Sequence, residues 1–566
     1  MFVADNRIPS VDRPPESRRR RWPRLALVSV ALVGAALRVG AAWRPISDLL
    51  VGAVSDDAFY YFTIARNIVA GQGITFDGER VTNGFHPLWL AIVTGLAAIV
   101  PDRETLVHAA LTVSALLGAA TAVVIYAVIA RLTGNLWAAV LGSAFYALHP
   151  YLITESVNGL ETQLAVFAFA VTVLLFVRLH TSHPVERRHY LALGVATGLT
   201  VLARTDMALA LAPMLVWTAV RQRAHTTSWL PGAVAAFAIV APWLVWMLAS
   251  FGTVIQVSGI AVPDFARQRF LEINGDAIGT QLLRSLSVTS QALFRQLPDL
   301  YFAPVPWLRL PVLAALALGV ASMIRVPMPV GAVHRRNLRL LAPAAAGVLL
   351  TLLFHTAVRW HVREWYFAAV PPLVAMGLGA ALARATWRRS GRGVALTYAG
   401  GVLVIAALYG PWQAAAFAQP LPHKRNMLET ARWIAGNVPQ DASIGSFNAG
   451  IFGYFSERKV VNLDGVVNED AYRARKAGRM LEYVCVEAPV THLVDVNISR
   501  QWNHVSCPGD DPCRSFETIT TIGTKLGYLG GGQLDVLALK TSAGRCSELP
   551  RAATVDEPAA ASGTAH

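Results

Sequence analysis

The chain has 566 residues, of which 54% are hydrophobic and only 15% charged. Soluble domains carry about 25% charged residues, so this composition and a mean hydropathy of +0.45 exclude an ordinary globular protein. The net charge of +14 would suggest nucleic acid in a soluble chain, but the basic residues fall in short clusters between apolar runs, which is the positive-inside pattern of a membrane protein.

Arg18, Arg19, Arg20, Arg21 and Arg24 precede an apolar stretch over 25–43. Its length, and the many spans that follow, favour a retained anchor over a cleaved signal. With a cytoplasmic N-terminus, spans are expected near 25–43, 106–130, 135–152, 164–178, a hairpin turning at Arg204-Thr205-Asp206, then 229–249, 308–324, 340–357, 366–383 and 394–411. The fold class is therefore a polytopic α-helical membrane protein of about eleven transmembrane helices. Every loop placed inside is basic. Pro87 to Val100 is too short to span and reads as an interfacial or re-entrant segment; letting it span would turn the basic clusters outward. Residues 1–24 form a basic cytoplasmic start, and 25–411 the transmembrane domain with outer loops 44–105 and 250–307. Residues 412–549 form a soluble extracytoplasmic domain, and 550–566 a disordered tail.

All four cysteines, Cys485, Cys507, Cys513 and Cys546, lie in the C-terminal domain. Disulfides persist in oxidising compartments, which agrees with an outside location, and four cysteines allow three pairings. A zinc site drawn from Cys507, Cys513, His492 or His504 fits no standard spacing. A helix over 424–437 and buried strands at 443–447, 459–463, 492–496 and 534–539 predict a small α/β domain; its strand order is not readable. Asp464 and Asn468 are sugar-binding candidates, although Asp464-Gly465 reads first as a turn. Gly530-Gly531-Gly532 lacks the Lys-Ser or Lys-Thr of a phosphate loop, and no nucleotide-binding signature occurs.

The first outer loop carries the chemistry. It reads Ser55-Asp56-Asp57-Ala58-Phe59-Tyr60-Tyr61, then Ala65-Arg66-Asn67, Gly71-Gln72-Gly73, and Thr82-Asn83-Gly84-Phe85-His86-Pro87-Leu88-Trp89. Ser55 is a natural N-cap, which would put both acids in the first turn of an amphipathic helix. There they could simply favour the helix's positive end. Adjacent carboxylates beside a bilayer are costly, however, and are functional candidates by default.

An acid pair in the first outer loop, an aromatic, Ala-Arg-Asn, a glycine-rich turn and a Pro-Leu-aromatic segment together resemble the GT-C superfamily, membrane glycosyltransferases that use polyprenyl-phosphate-linked sugars. The motifs are most similar to the mycobacterial-type arabinofuranosyltransferases. The layout through residue 411 also resembles protein O-mannosyltransferases and the lipid A aminoarabinose transferase. The resemblance implies an inverting transfer in which Asp56 is the general base and Asp57 orients the acceptor or supports its partner. The leaving group is a lipid phosphate, so cations should gather near it. Arg66, His86, Arg204 and Arg363 are the outer-face candidates, though such residues also meet lipid headgroups. Glu161, in Asn158-Gly159-Leu160-Glu161-Thr162, matches an acid that the superfamily uses for acceptor or metal placement; it could instead cap the next helix. Asp206 is a similar candidate. Asp56, Asp57 and Glu161 could supply hard oxygen ligands to a divalent cation, a cofactor left open. Gln256-Val257-Ser258-Gly259 is a candidate shaper of the donor groove.

The expected activity is transfer of a sugar, arabinofuranose first and mannose second, from polyprenyl phosphate to an envelope glycan, glycolipid or protein. The expected location is the outer face of a bacterial plasma membrane. The rival is a transporter or flippase of lipid-linked sugars. Transporters show internal repeats and midplane charges; here no clear repeat occurs, the acids cluster at one face, and Arg38 is the main interior charge.

Overall fold

The computed structural model describes residues 16–182, 184–222, 226–301, 337–386, 422–507, 514–523 and 533–541. The spans expected at 308–324 and 394–411, Gly530 to Gly532, Cys513, Cys546 and the tail 550–566 lie outside the described residues.

Every other expected span overlaps a helix. Among the described residues, five helices are long and apolar enough to cross a bilayer: Arg21–Ala42, Arg103–Thr133, Thr162–Thr181, Ser228–Phe251 and Leu341–Val358. Leu136–Leu148, Met207–Arg221 and Val370–Thr386 are shorter apolar helices packed among them. The exposed residues of the long helices are themselves apolar. Leu25, Val28, Leu32 and Val33 on the first, and Leu230, Val234, Phe237, Val245 and Leu248 on the fourth, face outward. Water would reject such surfaces and lipid accepts them, so the chain is a multi-pass membrane protein.

With hydrocarbon on both sides of the folding equilibrium, helices associate through close packing of small residues. A Cβ on Gly194 would lie 1.9 Å from the Gly232 carbonyl oxygen, and one on Gly347 would lie 1.9 Å from that of Ala210. The helix pairs Arg187–Ala203 with Thr226–Phe251, and Leu341–Leu353 with Met207–Arg221, therefore touch backbone to backbone. Arg38 is fully buried. It donates to the carbonyls of Ala147 (2.5 Å), Tyr146 (3.1 Å) and Gly34 (3.2 Å), and so satisfies carbonyls that helix Leu136–Leu148 leaves open where it ends before Pro150. This is a structural use of the charge that sequence reasoning weighed as a transport feature.

Helix Pro87–Ala97 has 11 residues, roughly 16 Å at 1.5 Å per residue, about half of a ~30 Å hydrocarbon core. It does not span, as expected.

The C-terminal domain opens with helix Pro422–Asn437 and builds a five-stranded sheet of order β2-β1-β3-β5-β4. The strands are β1 Ser443–Ser446, β2 Lys459–Asn462, β3 His492–Val496, β4 Arg514–Ile522 and β5 Leu534–Thr541. β1 pairs parallel with β2 and β3; β5 pairs antiparallel with β3 and β4. Sequence reading missed β4, an edge strand whose Arg-Ser-Phe-Glu-Thr-Ile-Thr-Thr-Ile pattern offers little continuous apolar surface. Cys485 and Cys507 form a disulfide. The zinc reading is thereby corrected, because the Cys507 sulfur is committed to a covalent bond and cannot serve as a thiolate ligand.

This domain packs onto the acid-pair loop. Arg103 donates to the Tyr454 carbonyl (2.6 Å) while the Tyr454 hydroxyl donates to the Arg103 carbonyl (2.8 Å). Asp264 accepts from Tyr472 (2.7 Å) and Lys476 (2.9 Å). Helix Ala58–Val69 lies between the two bodies, with Ala58 through Ala65 all buried. The first two turns of the expected amphipathic helix are instead enclosed, because the C-terminal domain covers the face that would otherwise meet water.

Candidate functional site

The helix expected to begin at Ser55 begins at Ala58. Ser55 donates its backbone N–H to the Asn158 carbonyl (3.0 Å), and a turn closes when Ala58 N–H reaches the Ser55 carbonyl (3.1 Å). Asp57 occupies the N-cap position without a side-chain capping bond. Gly159 (φ +81°) lies under this start; a Cβ there would come 2.7 Å from that of Ala58. Trp89 fixes the same residue by donating its ring N–H to the Gly159 carbonyl (3.1 Å). The Asn-Gly and Leu-Trp pieces of the motif thus set where the acid pair stands.

The two acids have different surroundings. Asp56 accepts from Gly450 N–H (3.1 Å, Oδ2) and Ile451 N–H (2.7 Å, Oδ1), at the start of helix Gly450–Phe455 of the C-terminal domain. Burial, reinforced by the Asp57 charge, pushes its carboxyl up to about 7, against those two N–H groups and Lys424. Asp57 is exposed and its carboxylate has no hydrogen bond or ion pair among the described residues. Desolvation by the surrounding protein raises its pKa, opposed by the charges of Arg363 and Lys424. Asp464 joins them from the turn after β2. Its Oδ1 accepts from Val466 N–H (2.9 Å) beside Gly465 at φ +85°, and burial, with a contribution from Asp57, pushes it up to about 7. Asp464 is thus both the expected turn residue and a neighbour of the acid pair. Asn468 is spent on structure: it caps helix Glu469–Lys476 and donates to the Asn462 carbonyl (2.9 Å).

Arg204 is buried and makes bonds to two carboxylates: Glu161 (2.8 Å) and Asp206 (2.9 Å). Burial works against its charge, but Asp206 and Glu161 outweigh it and hold its pKa above the ordinary value. Asp206 also accepts from His355 (2.9 Å) and is held below the usual carboxylate range by Arg204 and His355, despite burial. Glu161 does not cap helix Thr162–Thr181; its second oxygen accepts from the Tyr61 hydroxyl (2.7 Å). His86 lies with its Nε2 3.5 Å from Glu161 and its Nδ1 facing Thr205 N–H (3.4 Å). Burial lowers its pKa, so it is neutral near pH 7. Gln256 ties these pieces together. Its amide N–H donates to the Phe85 carbonyl, its oxygen accepts from the Thr205 hydroxyl (2.9 Å), and Val257 N–H donates to the Asn83 side chain (3.0 Å). His86, Glu161, Arg204, Asp206 and Gln256 therefore form one hydrogen-bonded polar cluster in which the single cation, Arg204, is held by two carboxylates.

Arg66 does not join the site. It donates to the Pro101 carbonyl (2.7 Å), and nine residues of helix separate it from Asp57, about 14 Å at 1.5 Å per residue. Arg363 is exposed, N-caps the turn Glu364–Phe367, and has no side-chain partner among the described residues. Its charge acts on Asp57. Among the described residues no group of three or more His, Cys, Asp or Glu is arranged to hold a metal ion, and Glu161, one of the three expected ligands, is engaged by Tyr61 and Arg204. Sequence reasoning missed Lys424, which sits in a basic His423-Lys424-Arg425 run that reads as juxtamembrane charge.

The site thus lies where several long apolar helices, an acid pair in the first long loop and a C-terminal α/β domain closing over it meet. Residues 86–246 match the model of the dolichyl-phosphate-mannose-protein mannosyltransferase family, and 416–526 match a domain of unknown function, DUF8728. No curated relative matches the chain. Among solved structures, ArnT from Cupriavidus metallidurans in the apo state superposes with a TM-score of 0.56 at 14% identity, covering 92% of this chain and 98% of that one. The apo oligosaccharyltransferase from Archaeoglobus fulgidus gives 0.51 at 15% identity, covering 86% and 71%. The arabinofuranosyltransferase AftD from Mycobacteria gives 0.42 at 14% identity, covering 92% and 40%. The chain thus shares its fold with ArnT and with the archaeal oligosaccharyltransferase over most of its length, and its residues 86–246 are similar to the mannosyltransferase family.

Proposed function

We propose that the protein transfers a sugar from a polyprenyl phosphate, with inversion, to an envelope glycan, glycolipid or protein acceptor at the outer face of a bacterial plasma membrane. The observation that carries the mechanism is the Asp57 carboxylate, which among the described residues has no hydrogen bond or ion pair and on which the charges of Arg363 and Lys424 act. The acceptor hydroxyl attacks the anomeric carbon, its proton passes to Asp57, and the bond between that carbon and the phosphate oxygen breaks with its electron pair going to phosphate. A raised carboxylate pKa suits a general base working near neutrality. We therefore assign the base to Asp57. Asp56 becomes the clasp that holds the C-terminal domain, while Asp464 takes a hydroxyl of the acceptor. The His86–Arg204 cluster positions the loop rather than binding phosphate.

The polyprenyl carrier is supported by a second ArnT structure, determined with undecaprenyl phosphate bound, at a TM-score of 0.55. Arabinofuranose is favoured by the loop motifs. Mannose is the second reading, favoured by the family match over 86–246. Purified protein in liposomes, given radiolabelled polyprenyl-phosphate arabinofuranose and mannose with crude envelope acceptors, separates them. Label reaching the acceptor from one donor names the sugar. Donor crossing the bilayer intact without transfer would overturn the reading in favour of a flippase.

A further inference from the structure

Transfer leaves a phosphate that gains a negative charge as the sugar departs, and the site must meet that charge with cations already in place. Of the four cations legible in the sequence, Arg204 is matched by Glu161 and Asp206, His86 is neutral near pH 7, and Arg66 lies at the far end of its helix. Arg363 alone remains. A second cation comes from the C-terminal domain. Lys424, half-buried in the first turn of helix Pro422–Asn437, donates one N–H to the Val54 carbonyl (2.9 Å), two residues before Asp56. An ammonium has three N–H groups, and among the described residues this is its only hydrogen bond. Among the described residues it makes no ion pair, yet the charges of Asp56, Asp57 and Glu364 act on it.

Resting on the reading of Asp57 as base, we propose that Lys424 binds the donor phosphate together with Arg363, so that the domain of unknown function completes the donor site. The charge balance fits this arrangement. Before transfer, Asp57 carries the negative charge that Lys424 and Arg363 face. As the proton moves onto Asp57 that charge disappears, and an equal one arises on the leaving phosphate. The two cations exchange one anionic partner for another, and the site's net charge stays constant.

The test uses the full chain in nanodiscs, with undecaprenyl phosphate and undecaprenol as probes. One charge-assisted hydrogen bond contributes about 1.5–3 kcal/mol, so Lys424→Ala should weaken undecaprenyl phosphate binding by roughly 10- to 150-fold and raise the donor KM in parallel. Undecaprenol binding and the acceptor KM should not move, and Lys424→Arg should restore most of the phosphate affinity. Unchanged phosphate binding in Lys424→Ala, or an equal loss for undecaprenol, overturns the assignment while leaving the glycosyltransferase reading intact. A wild-type chain that binds no undecaprenyl phosphate and transfers no sugar overturns both.

Discussion

Gly450→Ala should disable the enzyme without unfolding it. A methyl at that position would sit 2.1 Å from the Asp56 carbonyl oxygen and 3.0 Å from its carboxyl carbon. The helix start behind Asp56 packs closely over Gly159, which leaves it little room to retreat. Helix Gly450–Phe455 must then withdraw by about 1 Å or more to reach ordinary contact distance. That withdrawal stretches the two N–H bonds to Asp56, now 3.1 and 2.7 Å, each worth about 1.5–3 kcal/mol as a bond to a charged group. The rest of the interface, including the Arg103–Tyr454 exchange and the Asp264 contacts with Tyr472 and Lys476, is not touched by the substitution. The domain should remain attached while the acid pair shifts. A 1 Å misplacement of reacting groups costs on the order of 10²-fold in rate. Radiolabelled transfer by the variant in liposomes should therefore show kcat reduced ~10²-fold, with undecaprenyl phosphate binding retained. Transfer within about threefold of wild type, less than 1 kcal/mol in the barrier, would refute the idea that this contact positions the acids.

Arg204→Met should leave Glu161 and Asp206 buried without their cation, a loss of about 3–5 kcal/mol, read as a large fall in thermal stability in detergent. A stable variant with only weakened phosphate binding would restore Arg204 as a donor ligand. Asp57 works deprotonated and its pKa is raised, so kcat/KM should rise with pH along a limb lying above the ordinary carboxylate range. Lys424 and Arg363 act to lower the Asp57 pKa; Lys424→Ala should therefore move that limb to higher pH, and a shift to lower pH would contradict the geometry. Arg66→Ala should leave transfer within about threefold of wild type. A loss of two orders of magnitude would show that this arginine reaches the donor.

The membrane-crossing helices were legible because each is a long apolar run closed by arginine, a signal carried by contiguous residues. The acid pair was legible for the same reason: Asp56, Asp57 and the motifs through Trp89 lie within one loop. What the sequence concealed is long-range pairing. Asp56 meets Gly450 and Ile451 across nearly four hundred residues, and nothing local marks those two N–H groups as its partners. Arg204 looked like a free cation at a hairpin tip. Asp206, two positions on, was a local hint that its charge was taken, but Glu161 was not. Lys424 was hidden by its neighbours His423 and Arg425, which make an active-site cation look like one more basic flank. Asp464 illustrates the opposite error, since a turn assignment was correct and yet did not exclude a place beside Asp57.

The most direct measurement is a single-turnover transfer assay on the wild type, Asp57→Asn and Asp56→Asn, with donor prebound and its binding measured separately. Asp57→Asn should bind undecaprenyl phosphate at least as well as wild type, because a negative charge facing Lys424 and Arg363 is gone, yet transfer should fall by ~10²-fold or more, the scale of a lost general base. If Asp57→Asn transfers at the wild-type rate while Asp56→Asn is dead with its C-terminal domain still docked, the base is Asp56 and the central claim fails.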